Sequence, residues 1–194
     1  MSDLDMAISL YQAITAHSTI QKSTRFTSLN NLAAVLSTRY DLMGEFADLD
    51  NAVDLHHEAL TLQHAPHPDR ARLARNIART LSTRFSVMGR RADLEEAAAL
   101  LREAVVLVPA PHPDRSVTLH DLANVLSTLY DHGGWQDDLE EAAGLLREAL
   151  ALLPAVHPGR LASLNNLAVV LSTRFVDRSS CRLGRCCCTT PRGA

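Results

Sequence analysis

A 45-residue period runs through this chain, and no other feature limits its fold so strongly. Leu-Ser-Thr occurs at Leu36, Leu81, Leu126 and Leu171, and His-Pro at His67, His112 and His157. Asp-Leu followed by an acid occurs at Asp3, Asp48, Asp93 and Asp138, and glycine recurs at Gly44, Gly89 and Gly134. Asp69–Pro113 and Asp114–Pro158 share 23 of 45 residues. A duplicated unit of this length is one supersecondary element. It cannot bury its apolar surface alone and must stack on its neighbours.

Each unit reads as two helices. In the second unit, Pro68 and Asp69 open the first helix, where proline stops the incoming chain and aspartate can cap. Leu73, Ile77, Leu81 and Phe85 then recur every four residues as an apolar stripe. Gly89 suits a left-handed stop. Asp93 to Glu96 resembles a capping box that starts the second helix, with Asp in place of Ser or Thr. Leu94, Ala97, Leu101, Ala104 and Val108 form its buried face, and Pro109 and Pro111 end the unit. Ala97 and Ala104 are seven apart, as are Ala142 and Ala149, and alanine there lets two helix axes come close.

Composition agrees with helices. Leu and Ala supply 58 of 194 residues, while only eight are aromatic, so the core is built from Leu and Ala. A net charge of −3 gives no reason to expect a nucleic-acid partner. No apolar run is long enough to span a membrane, and Met1 to Leu10 lacks the basic-then-apolar pattern of a signal peptide. The expectation is a cytoplasmic chain. All four cysteines lie in the last fourteen residues, so no disulfide framework holds the body.

Leu122-Ala123, Gly134, Ala142, Ala149 and Pro154 follow the order of the tetratricopeptide repeat (TPR): Leu and a small residue, a turn glycine, two alanines seven apart, and a closing proline. The chain resembles that family from about Asp3 to Phe175. Leu-Asn-Asn-Leu-Ala at Leu29–Ala33 and Leu164–Ala168 resembles its long-repeat kinesin light-chain branch, and similar fungal arrays carry a caspase-like (CHAT) domain. The resemblance implies an all-α, right-handed α-solenoid of antiparallel helix pairs, about eight helices in all. The unit departs from the usual ~34 residues by lengthening the first helix about a turn at each end.

The resemblance also implies that the first helices line a concave groove for a peptide. Counted from the family's Leu position, the groove residues are Asn30, Arg75, His120 and Asn165 in one row and Ala34, Arg79, Asn124 and Val169 in another. Ser37, Ser82, Ser127 and Ser172 form a third, and Arg72 adds to the arginine face. Asn30 leans toward the groove, whereas Asn31, Asn76 and Asn166 fit amides bonded to the neighbouring helix. Arg72, Arg75 and Arg79, spaced i, i+3 and i+7, share one helix face. They would either receive carboxylates of an acidic peptide or form a solvated basic face. Arg25, Arg70, Arg115 and Arg160 open each first helix against its dipole, which suggests pairing with an adjacent repeat's carboxylate. Glu58, Glu103 and Glu148 are the candidates. Arg39, Arg84 and Arg174 suit the dipole at the far end.

The repeat frame divides the chain into a second helix alone (1–22), repeats at 23–67, 68–112 and 113–157, a first helix alone (158–175), and an Arg- and Cys-rich tail (176–194) expected to be disordered. In the tail Ser179 stands where glycine is due and Leu183 where aspartate is due, which suggests a truncated or frame-shifted end. No metal site, cofactor or catalytic residue is expected. His67, His112 and His157 lie a stacking step apart and read as loop or capping groups. There is no phosphate-cradling glycine loop, G-x-S-x-G or H-E-x-x-H. The functional expectation is a non-catalytic protein–protein scaffold. The alternatives are a fragment regulating an absent effector enzyme, and an array that self-associates end to end.

Overall fold

The computed structural model describes residues 3–17, 19–62, 68–133 and 135–182. Eight helices and no strand occur among them. They fall into two compact units, residues 1–107 and 108–194. The first holds α1 (Asp3–Ala16), α2 (Lys22–Met43), α3 (Phe46–Leu62), α4 (Pro68–Met88) and α5 (Arg91–Leu107). The second holds α6 (Arg115–Gly133), α7 (Gln136–Leu152) and α8 (Pro158–Arg182). In the first unit α2 packs on α3 and α4 on α5, while α1 and α3 each pack on the first helix that follows. In the second, α7 packs on both α6 and α8.

Two glycines make the hairpin turns of the first unit. Gly44 and Gly89 have φ of 76° and 66°, and their N–H groups donate to the carbonyls of Tyr40 and Phe85 at 2.7 Å. A left-handed residue here closes the helix and reverses the chain within two residues, which sets α2 against α3 and α4 against α5 as antiparallel pairs. The other end of the first helix is capped by histidine in the second unit. His112 Nδ1 accepts from the Asp114 N–H and His157 Nδ1 from the Gly159 N–H, both at 3.1 Å. His67 lies outside the described residues.

The core is the expected one. Leu73, Ile77, Leu81 and Phe85 are at most 7% exposed, and Ala97, Ala104, Ala142 and Ala149 are fully buried. Fully buried alanines leave no side-chain bulk between adjoining backbones, so the helix pairs close on a floor of leucine.

Three local expectations are corrected. Asp93 does not cap α5. The helix begins at Arg91, and the Asp93 carboxylate is buried against Arg84 at 2.7 and 3.0 Å. Three of the four arginines that open the first helices take the carboxylate of their own repeat and not of an adjacent one: Arg25 with Glu58 and Arg115 with Glu148, each at 2.6 Å, and Arg70 with Glu103. Arg160 instead donates to the Leu150 and Leu153 carbonyls of the repeat before it, at 2.7 and 3.0 Å. The second helix folds back beside the first turn of its partner, so the glutamate 33 residues on is the nearest acid. Finally, α8 runs past Phe175 to Arg182. Ser179 replaces the glycine that stops α2 and α4, so nothing there turns the backbone left-handed. Residues 183–194 lie outside the described part.

No helix among the described residues is long and apolar enough to cross a membrane.

Candidate functional site

The first helices α2, α4 and α6 each bury one side against their own second helix, another against neighbours in the stack, and leave a third outward. In the first unit that outward row on α4 is basic. Arg72 and Arg79 are exposed and Arg75 half-buried. Arg72 holds Asp69 at 3.1 Å, one turn back on its own helix. On α2 the same row carries Ala34, half-buried, and Asn30, only 6% exposed. The Asn30 Oδ1 accepts from Asn76 Nδ2 at 3.0 Å, so its amide is occupied by the next first helix. Ser37 and Ser82 are half-buried, and the Ser37 hydroxyl donates to the Ala33 carbonyl.

In the second unit Asn124 and Asn165 are exposed and His120 is half-buried. The His120 Nδ1 lies 3.2 Å from Ser163 Oγ, and its Nε2 lies 3.4 Å from Asn166 Nδ2. Asn166 also donates to Asn124 at 2.6 Å. Ser127 and Ser172 donate to the carbonyls four residues back, as Ser37 does, which quiets each hydroxyl inside its own helix. A recess of about 150 Å³ opens where the first turns of α6 and α8 meet, lined by Val117, His120, Leu153, His157 and Ser163 among others. It is a mainly apolar socket with one imidazole edge, of the size of a single side chain. Sequence reading singled out His120 but missed Val117 and Leu153. Val117 is 41% exposed at the repeat position held by Arg72, so the signal that could have found it is the 45-residue register, which sets this valine in the outward row.

The Asn31 row does what an inter-helix amide would do. Asn76 bonds Asn30 and Asn166 bonds Asn124, while Asn31 donates to the Tyr11 hydroxyl at 3.4 Å. The first two bonds set the register between successive first helices, and the third ties α2 to α1.

A second set of charges lies on the opposite side of the first helices. Arg39 chelates Asp48 at 2.6 Å and reaches Asp5 at 3.5 Å, and Arg84 chelates Asp93 and reaches Asp50 at 3.0 Å. Both guanidinium groups are held further toward the charged form by these carboxylate hydrogen bonds. Position 129 breaks the series with leucine. There the Tyr130 hydroxyl donates to Asp177 on α8, and burial together with that carboxylate pushes the phenol up to about 12. Beneath the basic row, buried His56 is held down to about 4 by desolvation first and then by the charges of Arg79 and His57. Among the described residues no cluster of three or more His, Cys, Asp or Glu could hold a metal. The His120 imidazole and the Ser163 hydroxyl, 3.2 Å apart, link α6 to α8.

The chain is similar in structure to known repeat proteins. It matches the nearly identical TPR-like repeats of a Podospora anserina protein provisionally designated a kinesin light chain. The TM-score is 0.65 at 24% identity, over 93% of this chain and 83% of that one. A singly substituted form of the same protein gives 0.66 at 24% identity, over 93% and 82%. BtubC (BKLC) from P. vanneervenii gives 0.54 at 18% identity, over all of this chain and 79% of that one. No protein-family model matches the sequence, and no curated protein matches it. The fold is therefore that of TPR-like helical repeats.

Proposed function

We propose that the chain is a non-catalytic scaffold that binds protein segments on the outward rows of the first helices within each unit. The observation that carries this reading is the division of labour on those helices. Two sides are consumed by packing and register, while the third carries Arg72, Arg75 and Arg79 in the first unit and, separately, the exposed Asn165 and an apolar socket in the second. A row of polar donors beside a side-chain-sized recess suits an extended peptide, with hydrogen bonds to its backbone and one anchored residue. The basic row on α4 favours an acidic segment, because arginine takes carboxylates in a two-pronged bond. The similarity in fold to TPR-like repeats supports the same reading.

The test is fluorescence anisotropy with a labelled peptide carrying an acidic C-terminus. Reversing Arg75 and Arg79 to Glu should weaken binding at least about tenfold, the scale of one or two lost charge-assisted contacts. Raising salt should weaken binding to the native chain as well. Binding that ignores both changes would dispose of the acidic-ligand reading.

A further inference from the structure

α8 exposes the face that the other first helices bury. Its Leu161, Leu164 and Leu171 are 74%, 43% and 39% exposed, while the corresponding Ala71, Ala74 and Leu81 of α4 are 3%, 1% and 0%. Phe175 is 73% exposed where Phe85 is 7%. In α2, α4 and α6 that face lies on the second helix of the same repeat, and no second helix follows α8 among the described residues. α1 is the converse. The repeat frame makes it a second helix, and it packs on α2 with no first helix before it among the described residues. Its Leu10 and Ile14 are 59% and 38% exposed, whereas Ala59 and Ala104, the counterparts of Ile14, are fully buried. Asp3 is exposed where Asp48 and Asp93 are buried.

We propose that α8 of one copy and α1 of a second copy pair as the two halves of one repeat, joining chains head to tail. Matching polar groups favour this occupant over an unrelated apolar partner. Arg39 and Arg84 each grip an aspartate nine residues on and an acid 34 residues back. Arg174 has the second of these, Glu140 at 3.0 Å. Nine residues on from Arg174 the sequence has Leu183, and the aspartate of that repeat position on α1 is Asp3. Arg174 of one copy thus faces Asp3 of the next. The amides agree. Asn76 donates to Asn30 on the preceding first helix, and the same offset brings Asn31 of the second copy to the exposed Asn165 of the first. One group is not matched: Ala13 stands where Glu58, Glu103 and Glu148 receive the first-turn arginine. Each copy carries one of each half, so the contact is heterologous and further copies add at either end.

Sedimentation velocity on the full chain tests this. The weight-average mass should climb with concentration above the 21.2 kDa of one chain. Leu171→Glu should weaken the association about tenfold or more, since it places a charge in the buried row. Asp3→Arg and Arg174→Asp, both at positions outside the core, should each weaken it, because each sets two like charges face to face at every joint. In an equimolar mixture of these two variants, every joint between unlike copies again pairs an arginine with an aspartate. Association should therefore recover in the mixture, with the two variants alternating along the assembly. Circular dichroism on each variant confirms that it is folded. A chain that stays monomeric throughout would overturn the proposal. So would association indifferent to Leu171→Glu, or a mixture that behaves like either variant alone.

Discussion

Replacing Arg84 with methionine tests what holds three helices in place. Arg84 on α4 grips both carboxylate oxygens of Asp93 on α5, at 2.7 and 3.0 Å, and with its other nitrogen reaches Asp50 on α3 at 3.0 Å. The Asp93 side chain is 4% exposed and that of Arg84 13%, so water replaces little of what the substitution removes. A buried carboxylate stripped of its cation costs about 3–5 kcal/mol, roughly a fifth or more of the stability of an ordinary domain. The Asp50 arm adds little, because that carboxylate is 46% exposed. Arg25→Met is the control. Its pair with Glu58 is 37% and 42% exposed on the two sides, and its loss should cost less than about 1 kcal/mol. Urea titration followed by circular dichroism at pH 7 reads both. Adding Asp93→Leu to Arg84→Met should recover most of the loss, since an apolar pair tolerates burial where a lone charge does not. If Arg84→Met loses no more than Arg25→Met, or if the double variant is weaker than the single one, burial is not what makes this bridge matter.

Two further outcomes follow from local geometry. Gly89→Ala should destabilise by about 1–2 kcal/mol because φ is 66° there, although space around the site is open. Gly144→Ala, on the exposed side of α7 with nothing within 4 Å, should stabilise by up to about 1 kcal/mol; thermal melts of the two variants should move in opposite directions. His56 stays neutral in the folded chain down to about 4, while in the unfolded chain it takes up a proton near 6.5. Stability from this group is therefore complete above pH 6.5 and falls as pH drops toward 4, by about 3 kcal/mol in all. His56→Gln should remove that component. The difference in unfolding free energy between the two proteins must change across this window, and a difference that stays constant with pH would refute the assignment.

The repeats, the helix pairs and the alanine seams were legible because periodicity states them four times over. In the stripe on α4, Ile77 has Leu32 and Leu122 at 45 residues either way, Leu81 has Leu36 and Leu126, and Phe85 has Tyr40 and Tyr130, so a wrong helix assignment would have had to be wrong at each. The charged groups were not legible in the same way. Asp93 sits where a capping residue belongs, and its sequence context is that of a cap; only the path of the chain reveals that Arg84 approaches it from the other helix. A signal did exist. Arginine precedes aspartate by nine residues at 39/48 and 84/93, and an acid precedes arginine by 34 at 5/39, 50/84 and 140/174. Offsets that recur in register with a repeat imply contacts. The candidate binding row was placed by counting from a family position, and counting cannot tell an outward amide from one spent on a neighbour, as Asn30 shows.

The same offsets explain why repeats so alike in sequence are not interchangeable. Apolar burial supplies cohesion here, but Leu on Leu and Ala on Ala would tolerate sliding by a turn. The long arginine side chains do not, because each must meet one acid on its own second helix and another on the second helix before it. Where Leu129 replaces that arginine, Asp138 remains buried at 4% exposure, and the neighbouring Tyr130 hydroxyl donates to Asp177 on the next first helix. A repeat moved from one unit into the other would carry the wrong polar partner for its new neighbour while keeping the right apolar one. Pairing specificity in this array therefore resides in a handful of ionic and amide contacts laid over a core that is nearly generic. The proposed joint between copies obeys the same logic: Leu164 and Leu171 supply adhesion, and Arg174 with Asp3 selects the register.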